Sequence, residues 1–523
     1  MLIYVDNALN EKIEESLKDI TKERYIIRDI ENYIQSNIKR VCCLYGLRRT
    51  GKTIMMLQVI KKLGVNNCLF LECQGDSNSS DDMSMICKQI NEHSSKKYIF
   101  IDEITKTKDF IRASSVLSNH YVSIGKKIIL AGTDSFGFWL TRKEELYDRD
   151  VLIHTTYISF QEHKFILNKN ILDYILYGGT LTDGSVFYNK DNVANYTNTA
   201  IAYNITNSLK KAHNRKCSDI QPLVSLALNN ELPSIINKVI EFDSREFLLK
   251  IIEKTFEFHD LGSLEDLLTK HNKSFDIDDE SDNLLTMIRN YLGIKENLFS
   301  QIDDEIVSDI IKYLIDLDVL FKVPENPLRK FKTEYIFVQP GMRFCQADAL
   351  FKALSNTNKF RSINASERLY IQKLIRHDIA GGILENIIFF QTIKSLPNCD
   401  MDSLNNITVC KYNNVLNAEI DILVMDLVNN CTVAIEVKLS DKRNKEQFKH
   451  LINDSLCEEI EAKSGTKIIK KIVMYRGDST TSEENPEIEY LNVEEYLCNI
   501  PMYLVKWFGT NILKNSNEFT SLF

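Results

Sequence analysis

A glycine-rich segment that ends in lysine and threonine follows the pattern Gly-x-x-x-x-Gly-Lys-Thr near the start of the chain. Loops of this kind curl their backbone N–H groups around phosphates, along a path that a β-carbon would obstruct. The lysine reaches the outer phosphates, and the threonine offers its hydroxyl to Mg²⁺. The loop stands between the apolar run 41–45 and a helical pattern over 54–63, whose positive dipole end would face the anion. We therefore predict a nucleoside triphosphate site at Gly46, Leu47, Arg48, Arg49, Thr50, Gly51, Lys52 and Thr53.

Two adjacent carboxylates, Asp102 and Glu103, end the apolar run Tyr98–Ile101. Beside a phosphate-binding loop, the first acid supports Mg²⁺ and the second orients or deprotonates the attacking water. We predict that Asp102 and Thr53 hold Mg²⁺ and that Glu103 is the catalytic base. Lys52 would assist catalysis at the β and γ phosphates. An apolar strand that ends in acids is common, so this pattern gains its weight from the loop.

A third apolar run, Ile128–Ala131, leads into a polar turn that contains Thr133. We predict Thr133 as a catalytic sensor of the γ-phosphate, the alternative being an ordinary turn residue. Two arginines, Arg142 and Arg149, lie in the next polar segment. Each is either an arginine finger for the nucleotide of a neighbouring subunit or a solvated surface residue.

A second set of residues that could carry out chemistry lies in the C-terminal part of the chain. In chain order they are Asp421, Glu436 and Lys438. We predict that Asn429-Asn430 is a two-residue hairpin loop, so that Asp421 lies opposite Lys438. Side chains alternate along strands, so all three then share one face. Asp421 and Glu436 would hold Mg²⁺ through oxygen ligands, and Lys438 would position a water nucleophile for phosphodiester cleavage. The alternative is a half-exposed hairpin that alternates charged and apolar residues without any chemistry.

The elements that must position these residues alternate between strand and helix in the first part of the chain. This alternation predicts a parallel sheet covered on both faces, within an α/β multidomain fold. Helical patterns dominate over 193–212, 220–241 and 246–258. Strand patterns return near 420–425, 433–439 and 469–475, after a predicted helix over 383–393.

The segment Ile302–Val323 has the pattern of the last two helices of a helix-turn-helix unit, and the strand Tyr335–Val338 would form a wing. We therefore predict a winged helix over 301–361. Five aspartates and one glutamate against two lysines make Ile302–Val323 a poor surface for phosphate contacts. A helical linker has equal standing there.

The chain resembles the AAA-type ATPases that carry a C-terminal restriction-endonuclease-like domain, a family found mainly in bacteria and archaea. The resemblance rests on the runs RVCCLYGLRRTGKT, YIFIDEI, ILAGTDSF, YDRD, YISFQEH and LYGGT. Its more specific marks are Arg48-Arg49, Ser159-Phe160-x-Glu162 and Gly178-Gly179. The run YIFVQPGMRF resembles the family's strand and Asp-Pro-Gly turn, with Gln339 where an acid is usual. The match covers most of the chain except 190–300.

The resemblance implies a division into an AAA-type ATPase domain (1–175), a helical lid or linker (176–300), the winged helix (301–361) and a restriction-endonuclease-like domain (362–523). It implies ATP rather than GTP as the nucleotide, with Mg²⁺. It also implies Glu385 as a further acidic metal ligand. We further expect DNA or RNA as a partner and a homo-oligomer as one state.

Three functions remain open at this point. The first is an ATPase whose nucleotide state controls a metal-dependent nuclease. The second is a nucleotide-driven switch or remodeller whose C-terminal domain binds without cutting. The third is a nucleotide-binding scaffold with negligible turnover.

Composition narrows the class of protein. The 523 residues carry 73 acidic and 64 basic side chains, a net charge of -9, which excludes a general polycation that coats nucleic acid. The twelve cysteines show no CxxC pair and no zinc spacing, so we expect buried free thiols in a reducing compartment. Neither a signal peptide nor a long apolar run is evident, so we expect a cytoplasmic protein without a membrane partner.

Overall fold

The computed structural model describes most of the chain. The described residues are 1–74, 82–107, 109–110, 114–132, 138, 146, 149–181, 201–212, 221–258, 292, 303–328, 333–362, 364–396, 407–413 and 418–509. Two residues predicted for the nucleotide site, Thr133 and Arg142, lie outside these ranges.

A six-stranded sheet organises the first part of the chain. Its strands are β1 (Leu2–Tyr4), β2 (Val41–Tyr45), β3 (Cys68–Glu72), β4 (Tyr98–Asp102), β5 (Lys127–Gly132) and β6 (Asp150–His154). They lie in the order β1-β3-β4-β5-β2-β6, and all but the antiparallel edge strand β1 are parallel. The parallel sheet predicted from the sequence is confirmed. Because β2 runs parallel to β5 and β6, the loop that follows β2 leaves the sheet at the shared carboxyl edge of these strands, where ligands bind in open α/β sheets.

Helices cover both faces of this sheet. They are α1 (Asp6–Ser16), α2 (Ile27–Gln35), α3 (Lys52–Leu63), α4 (Met83–Glu92), α5 (Phe160–Leu167) and α6 (Ile171–Tyr177). Side chains of β2 alternate between the two faces: Cys42 and Leu44 pack with residues of α1, α2 and α3, whereas Cys43 and Tyr45 belong to the core that contains α4. Strands buried on both sides require continuous apolar runs, and VCCLY is such a run.

Most described residues between 201 and 258 are helical, as the sequence patterns predict, but the break lies at 229–231 and 232–258 is one continuous helix. The helices are α7 (Tyr203–Ala212), α8 (Gln221–Leu228) and α9 (Leu232–Phe258). The 27-residue helix α9 belongs to two cores. Ile236 and Ile240 pack in the core that includes α4, whereas Leu248 and Ile252 pack in the core of the C-terminal sheet. One rigid element therefore joins the two halves of the molecule.

Residues 303–338 differ from the predicted pair of helices. A single helix, α10 (Asp304–Asp316), is followed by an antiparallel pair, β7 (Leu320–Lys322) and β8 (Tyr335–Phe337). Asp318 has a left-handed φ of 55° in the turn after α10, and β7 begins where the second helix was expected. The second helix of the Ile302–Val323 prediction is therefore wrong. The helix and hairpin leave the winged helix itself a prediction.

A second six-stranded sheet organises the tail. Its strands are β9 (Ile407–Asn413), β10 (Glu419–Asp426), β11 (Cys431–Val437), β12 (Lys467–Tyr475), β13 (Thr480–Thr481) and β14 (Ile488–Asn492), in the order β13-β14-β12-β11-β10-β9. The helices around it are α11 (Pro340–Ser355), α12 (Asn358–Ser362), α13 (Ala365–Lys394), α14 (Asp454–Ser464), α15 (Val493–Cys498) and α16 (Ile500–Phe508). The antiparallel strands β9, β10 and β11 are followed by β12, which runs parallel to β11.

The hairpin between β10 and β11 has a different register from the predicted one. The connection is the four-residue segment 427–430, and Asp426 pairs with Cys431. Oδ1 of Asp426 accepts hydrogen bonds from Val428 N and Asn429 N, both at 3.0 Å, which stabilises the longer turn. The register Ile422–Ile435 places Asp421 beside Glu436 rather than opposite Lys438. The prediction of a two-residue loop is wrong, although the three side chains still meet.

Among the helices that the structure describes, none combines the length and the apolar character needed to cross a membrane.

Candidate functional site

Backbone conformation shapes the glycine-rich loop after β2. Gly46 has a φ of 151°, and a β-carbon there would lie 2.8 Å from Thr156 N, too close for any other residue. Gly51 has a left-handed φ of 85° and caps the start of α3. Leu47 N donates to Thr156 Oγ1 at 3.3 Å, so the loop is also tied to the segment after β6. The N-terminus of α3 therefore opens toward the space that the loop surrounds.

The Lys52 ammonium folds back over the loop. Nζ donates to the carbonyl oxygens of Gly46 and Leu47, each at 2.8 Å. Burial lowers the pKa of Lys52 to about 8, although the nearby charges of Glu103 and Asp102 oppose this effect. A cation held in this way by neutral carbonyls can exchange them for phosphate oxygens.

The two residues predicted to hold Mg²⁺ are in direct contact. Thr53 Oγ1 donates to Asp102 Oδ2 at 2.6 Å. Burial raises the pKa of Asp102, an effect that the Thr53 hydrogen bond partly offsets. Hydroxyl and carboxylate oxygens are the ligands that Mg²⁺ prefers, so this pair fits the ion.

Glu103 lies at the same edge of the sheet in a left-handed conformation with φ of 53°. Its N–H donates to Asp102 Oδ1 at 2.9 Å, and its carboxylate lies 3.7 Å from Lys106 Nζ. A left-handed φ in a residue with a side chain is uncommon and is often found at functional sites.

The tail carries a second group of charged side chains. Asp421 Oδ2 accepts from Val437 N at 2.8 Å and lies 3.7 Å from Lys438 Nζ. Lys438 Nζ donates to Glu436 Oε2 at 2.6 Å. The side chains of Asp421 and Glu436 are only 2% and 3% exposed. Buried carboxylates at this density need counter-cations.

A further carboxylate and a further ammonium complete this group. Glu385, on α13, and Asp421 each lie 3.9 Å from Lys254 Nζ on α9. Lys254 also forms an ion pair with Glu419. The four carboxylates thus surround two lysines, one from the sheet and one from α9.

The pKa values of the group reflect this crowding. Burial and the charge of Asp421 raise the pKa of Glu385 to about 7. Burial, followed by the charge of Asp421, also raises the pKa of Glu436. For Asp421, burial acts in the opposite sense, but the two lysines and the Val437 N–H outweigh it and lower the pKa. For Lys438, attraction to Asp421 and Glu436 outweighs burial and raises the pKa.

A comparison with protein families gives a match over the part of the chain that contains the loop and the Thr53–Asp102 pair. Residues 38–164 match the family model of the AAA domain. This part of the chain is an AAA domain. No curated protein matches the sequence.

Solved structures provide a weaker likeness. Hsp104 of S. cerevisiae in its ADP complex is 14% identical and has a TM-score of 0.25, over 72% of this chain and 50% of that one. PCH-2 of C. elegans is 18% identical with a TM-score of 0.20, over 45% and 63%. The ORC1 protein of Aeropyrum pernix in complex with DNA is 13% identical with a TM-score of 0.21, over 65% and 94%. The chain thus spans half the length of the Hsp104 chain, and scores this low add no argument about function.

Arg24, which the sequence analysis missed, supports the loop of the AAA domain from behind. Its Nη1 donates to Thr50 O at 2.9 Å and to Thr155 O at 2.7 Å. Its Nε and Nη2 bind the two oxygens of Glu162 at 3.1 and 3.0 Å. Glu162 belongs to the Ser159-Phe160-x-Glu162 mark of the resemblance, and Ser159 caps the helix that carries it. The sequence signal that could have led to Arg24 was Glu162 itself, an acid that the resemblance marks and that needs a basic partner if it is buried.

Two other segments on which the resemblance rests, Gly178-Gly179 and the turn at Gln339, contact each other. Gln339 Nε2 donates to Gly179 O at 2.7 Å, and Gly341 N donates to Gly178 O at 3.1 Å. Gly179 has a φ of 100°, and a β-carbon there would lie 2.5 Å from Gln339 Cβ. Gln339 thus replaces the usual acid as an amide donor to a backbone carbonyl.

Arg149 is exposed at the amino end of β6, next to the start of β2, because Val41 N donates to Arg149 O at 2.9 Å. This is the sheet edge opposite the phosphate loop of the same chain. Arg48 and Arg49 are exposed on the loop, and Leu47 is buried beneath it. A role of Arg149 toward another subunit stays a prediction.

The metal site predicted at Glu385, Asp421 and Glu436 has oxygen donor atoms, but they are not arranged to bind a metal ion together. Glu436 Oε1 is buried and accepts no hydrogen bond from the described residues, with His450 Nδ1 at 3.6 Å. In the described parts of the chain, no group of three or more His, Cys, Asp or Glu side chains is arranged to hold a metal ion. Lysine ammoniums lie between the carboxylates instead. The oxygen-rich set fits Mg²⁺ in its chemistry, provided that a lysine moves.

Proposed function

We propose that the chain hydrolyses ATP at its AAA domain, and that the nucleotide state controls a C-terminal site that acts on nucleic acid phosphodiesters. The observation that carries the first half is the Thr53–Asp102 contact beside the Lys52 ammonium and Glu103. A phosphate loop alone indicates binding. A metal-supporting acid followed at once by a second acid indicates hydrolysis.

Each residue of the AAA site has a separate task in this proposal. Lys52 leaves its carbonyl partners and binds the β and γ phosphates, together with the N–H groups at the start of α3. Thr53 and Asp102 hold Mg²⁺, which neutralises phosphate charge when bound. Glu103 orients the attacking water and accepts its proton.

The C-terminal site is proposed to act on phosphodiesters through Asp421, Glu436 and Lys438. The two buried carboxylates would hold Mg²⁺ with Glu385, and the ion would supply Lewis-acid chemistry. Lys438 orients a water molecule and stabilises negative charge at the phosphate. Exposed cations follow this site in the chain and support contact with a nucleic acid backbone. They are Lys442, Arg443, Lys445 and Lys449.

A packed connection between the two sites supports the coupling. Arg24 joins the phosphate loop to Glu162 on α5, and Phe160 N at the start of α5 donates to Gln391 Oε1 at 3.2 Å. Gln391 lies on α13, the helix that also carries Glu385. A shift of the loop therefore reaches α13 through a chain of direct contacts.

The test uses the purified full-length chain. ATP turnover should be lost in Lys52→Ala. Labelled single- and double-stranded DNA and RNA, incubated with Mg²⁺ or Mn²⁺, should be cut by the native protein and not by Asp421→Asn or Lys438→Ala. Lys467→Ala, an exposed lysine of the same sheet that pairs with Glu461, is the matched control and should cut normally. Cleavage that persists in both site variants would rule out this site.

A second candidate function is a nucleotide-driven switch or remodeller with a C-terminal domain that binds without cutting. The position of lysine ammoniums between the carboxylates favours it. It requires ATP turnover that depends on Lys52, with no cleavage under any metal condition.

Mass photometry with and without ATP, run beside the cleavage assay, tests the expected homo-oligomer. A ring that forms only with ATP would support an arginine-finger role for Arg142 or Arg149.

A further inference from the structure

Lys254 reaches the C-terminal carboxylates from a different part of the chain. It lies near the end of α9, and its partner Glu419 is 165 residues further along the sequence. The first half of α9 packs in the core that contains residues of the AAA domain, whereas Leu248 and Ile252 hold the second half against the C-terminal core. The helix thus carries an ammonium from one half of the molecule into the acidic group of the other.

The geometry places this ammonium among three carboxylates at once. Nζ lies 3.9 Å from both Glu385 and Asp421 and forms an ion pair with Glu419. Lys438 neutralises the other side of the group, where it contacts Asp421 and Glu436. A cation surrounded by carboxylate oxygens from α13 and β10 occupies the kind of position that a divalent ion would take.

We propose that Lys254 is a tethered cation that blocks metal binding at the C-terminal site until α9 withdraws it. This inference rests on the proposed function of that site and assigns its regulation. The blocked state has a lysine in place of the metal. On the Lys438 side of the group, the buried Glu436 Oε1 accepts no hydrogen bond from the residues that the structure describes, and His450 Nδ1 lies 3.6 Å from it. The open state exchanges one ammonium for a divalent ion with more charge and more ligands.

Two observations separate this role from that of an ordinary surface ion pair. A surface pair involves one acid and one base and contributes little, whereas Lys254 lies 3.9 Å from both Glu385 and Asp421 and also pairs with Glu419. Its side chain is also 38% exposed, while that of Asp421 is 2% exposed. The lysine is therefore more open to solvent than Asp421, and its withdrawal leaves the acidic group short of one cation.

The experiment measures metal binding by the full-length, nucleotide-free protein, with free Mn²⁺ followed by electron paramagnetic resonance. Lys254→Met should bind one Mn²⁺ roughly tenfold or more tightly than the native protein, because a competing charge is removed. Adding Asp421→Asn to this variant should abolish the gain. Lys250→Met is the matched control: Lys250 lies one turn earlier on α9 and pairs with Glu334 outside the group, so its loss should leave Mn²⁺ affinity unchanged.

Two more variants keep the proposal falsifiable if Lys254→Met folds poorly. Lys254→Gln removes the charge but keeps a hydrogen-bond donor, and it should also gain Mn²⁺ affinity. Lys254→Arg keeps the charge and should behave as the native protein does. Equal or weaker Mn²⁺ binding in folded Lys254→Gln overturns the tethered-cation role.

The same variants separate this inference from the proposed cleavage. If Lys254→Met gains Mn²⁺ but cuts no DNA or RNA, the tethered-cation role stands and the nuclease proposal fails. If the native protein cuts nucleic acid and binds Mn²⁺ as tightly as Lys254→Met does, the nuclease proposal stands and the role of Lys254 is rejected.

Discussion

Arg24 and Glu162 form a buried, bidentate ion pair, and Arg24 also contacts the phosphate loop through Thr50 O. Their side chains are 3% and 6% exposed, and Arg24 also donates to three backbone carbonyls. Glu162 Oε1 accepts a further hydrogen bond from Tyr25 N at 2.8 Å. The pair joins residues 138 positions apart, so it fixes the N-terminal segment, the loop and α5 to one another.

Arg24→Ala should lower the free energy of unfolding by about 3–5 kcal/mol, because it leaves the Glu162 charge buried without its partner. Urea denaturation measures the change. Arg24→Lys keeps the charge but loses the fork geometry, so we expect an intermediate loss. Arg28→Ala, an exposed arginine four residues further on, should change stability by no more than about 0.5 kcal/mol. An Arg24→Ala protein as stable as Arg28→Ala would contradict a supporting role for the pair.

ATP binding should depend on pH through Lys52. Burial lowers the pKa of this lysine to about 8 in the nucleotide-free protein, so its ammonium loses its proton above that pH. Phosphate charge favours the protonated form, so binding at about pH 9 should take up a proton. We expect affinity to fall by up to about tenfold per pH unit above pH 8.

Calorimetry in two buffers of different ionisation enthalpy measures this proton uptake. The control is Lys52→Arg, whose guanidinium stays charged throughout this range and should bind without proton uptake. Equal uptake by both proteins would assign the proton to another group.

Glu103→Gln should lower kcat for ATP hydrolysis by roughly 10²–10⁴-fold while ATP affinity is retained, because the amide occupies the same space but accepts no proton. Stopped-flow binding and steady-state phosphate release separate these two quantities. Glu72 ends the neighbouring strand β3 and pairs with Lys12 at 3.4 Å, so Glu72→Gln is the matched control with near-native kcat. Turnover in Glu103→Gln equal to that control would rule out Glu103 as the catalytic base and favour the nucleotide-binding scaffold with negligible turnover.

Local patterns in the sequence were sufficient to predict the strands around the glycine-rich loop and the contact between Thr53 and Asp102. Continuous apolar runs such as Val41–Tyr45 identify strands buried on both faces, and the spacing of loop residues follows from what phosphates require. The contact of Thr53 with Asp102 then follows from the parallel order of β2 and β4 around β5. These features depend on neighbours in the chain or on a common sheet edge, both of which a sequence reveals.

Contacts between distant segments were not predictable in the same way. Arg24 belongs to no sequence motif. Its partner Glu162 was singled out only because it belongs to the Ser159-Phe160-x-Glu162 segment of the family resemblance. The β10–β11 register depends on the Asp426 side chain, which stabilises a four-residue turn where Asn429-Asn430 suggested a shorter one. Lys254 stands in a segment that the family resemblance does not cover, so packing of α9 against the C-terminal part of the chain is needed to reveal its position.

Gly179 should not tolerate a side chain, because its left-handed φ of 100° and its contact with Gln339 act together. Gly125 is the matched control: its φ is 92°, but a β-carbon there would meet nothing within 4 Å. Gly125→Ala should therefore cost only the backbone strain, about 1–2 kcal/mol, and Gly179→Ala about 1–3 kcal/mol more because of the collision. Thermal or urea unfolding measures the difference.

Gly179→Ala should also weaken ATP binding, whereas Gly125→Ala should not. Two residues after Gly179, Leu181 N donates to Arg49 O of the phosphate loop at 3.1 Å. A collision with Gln339 that shifts this segment would therefore loosen the loop and raise the KM for ATP with a smaller change in kcat. Equal KM values in the two variants would show that the Gly179–Gln339 contact stabilises the fold without positioning the loop.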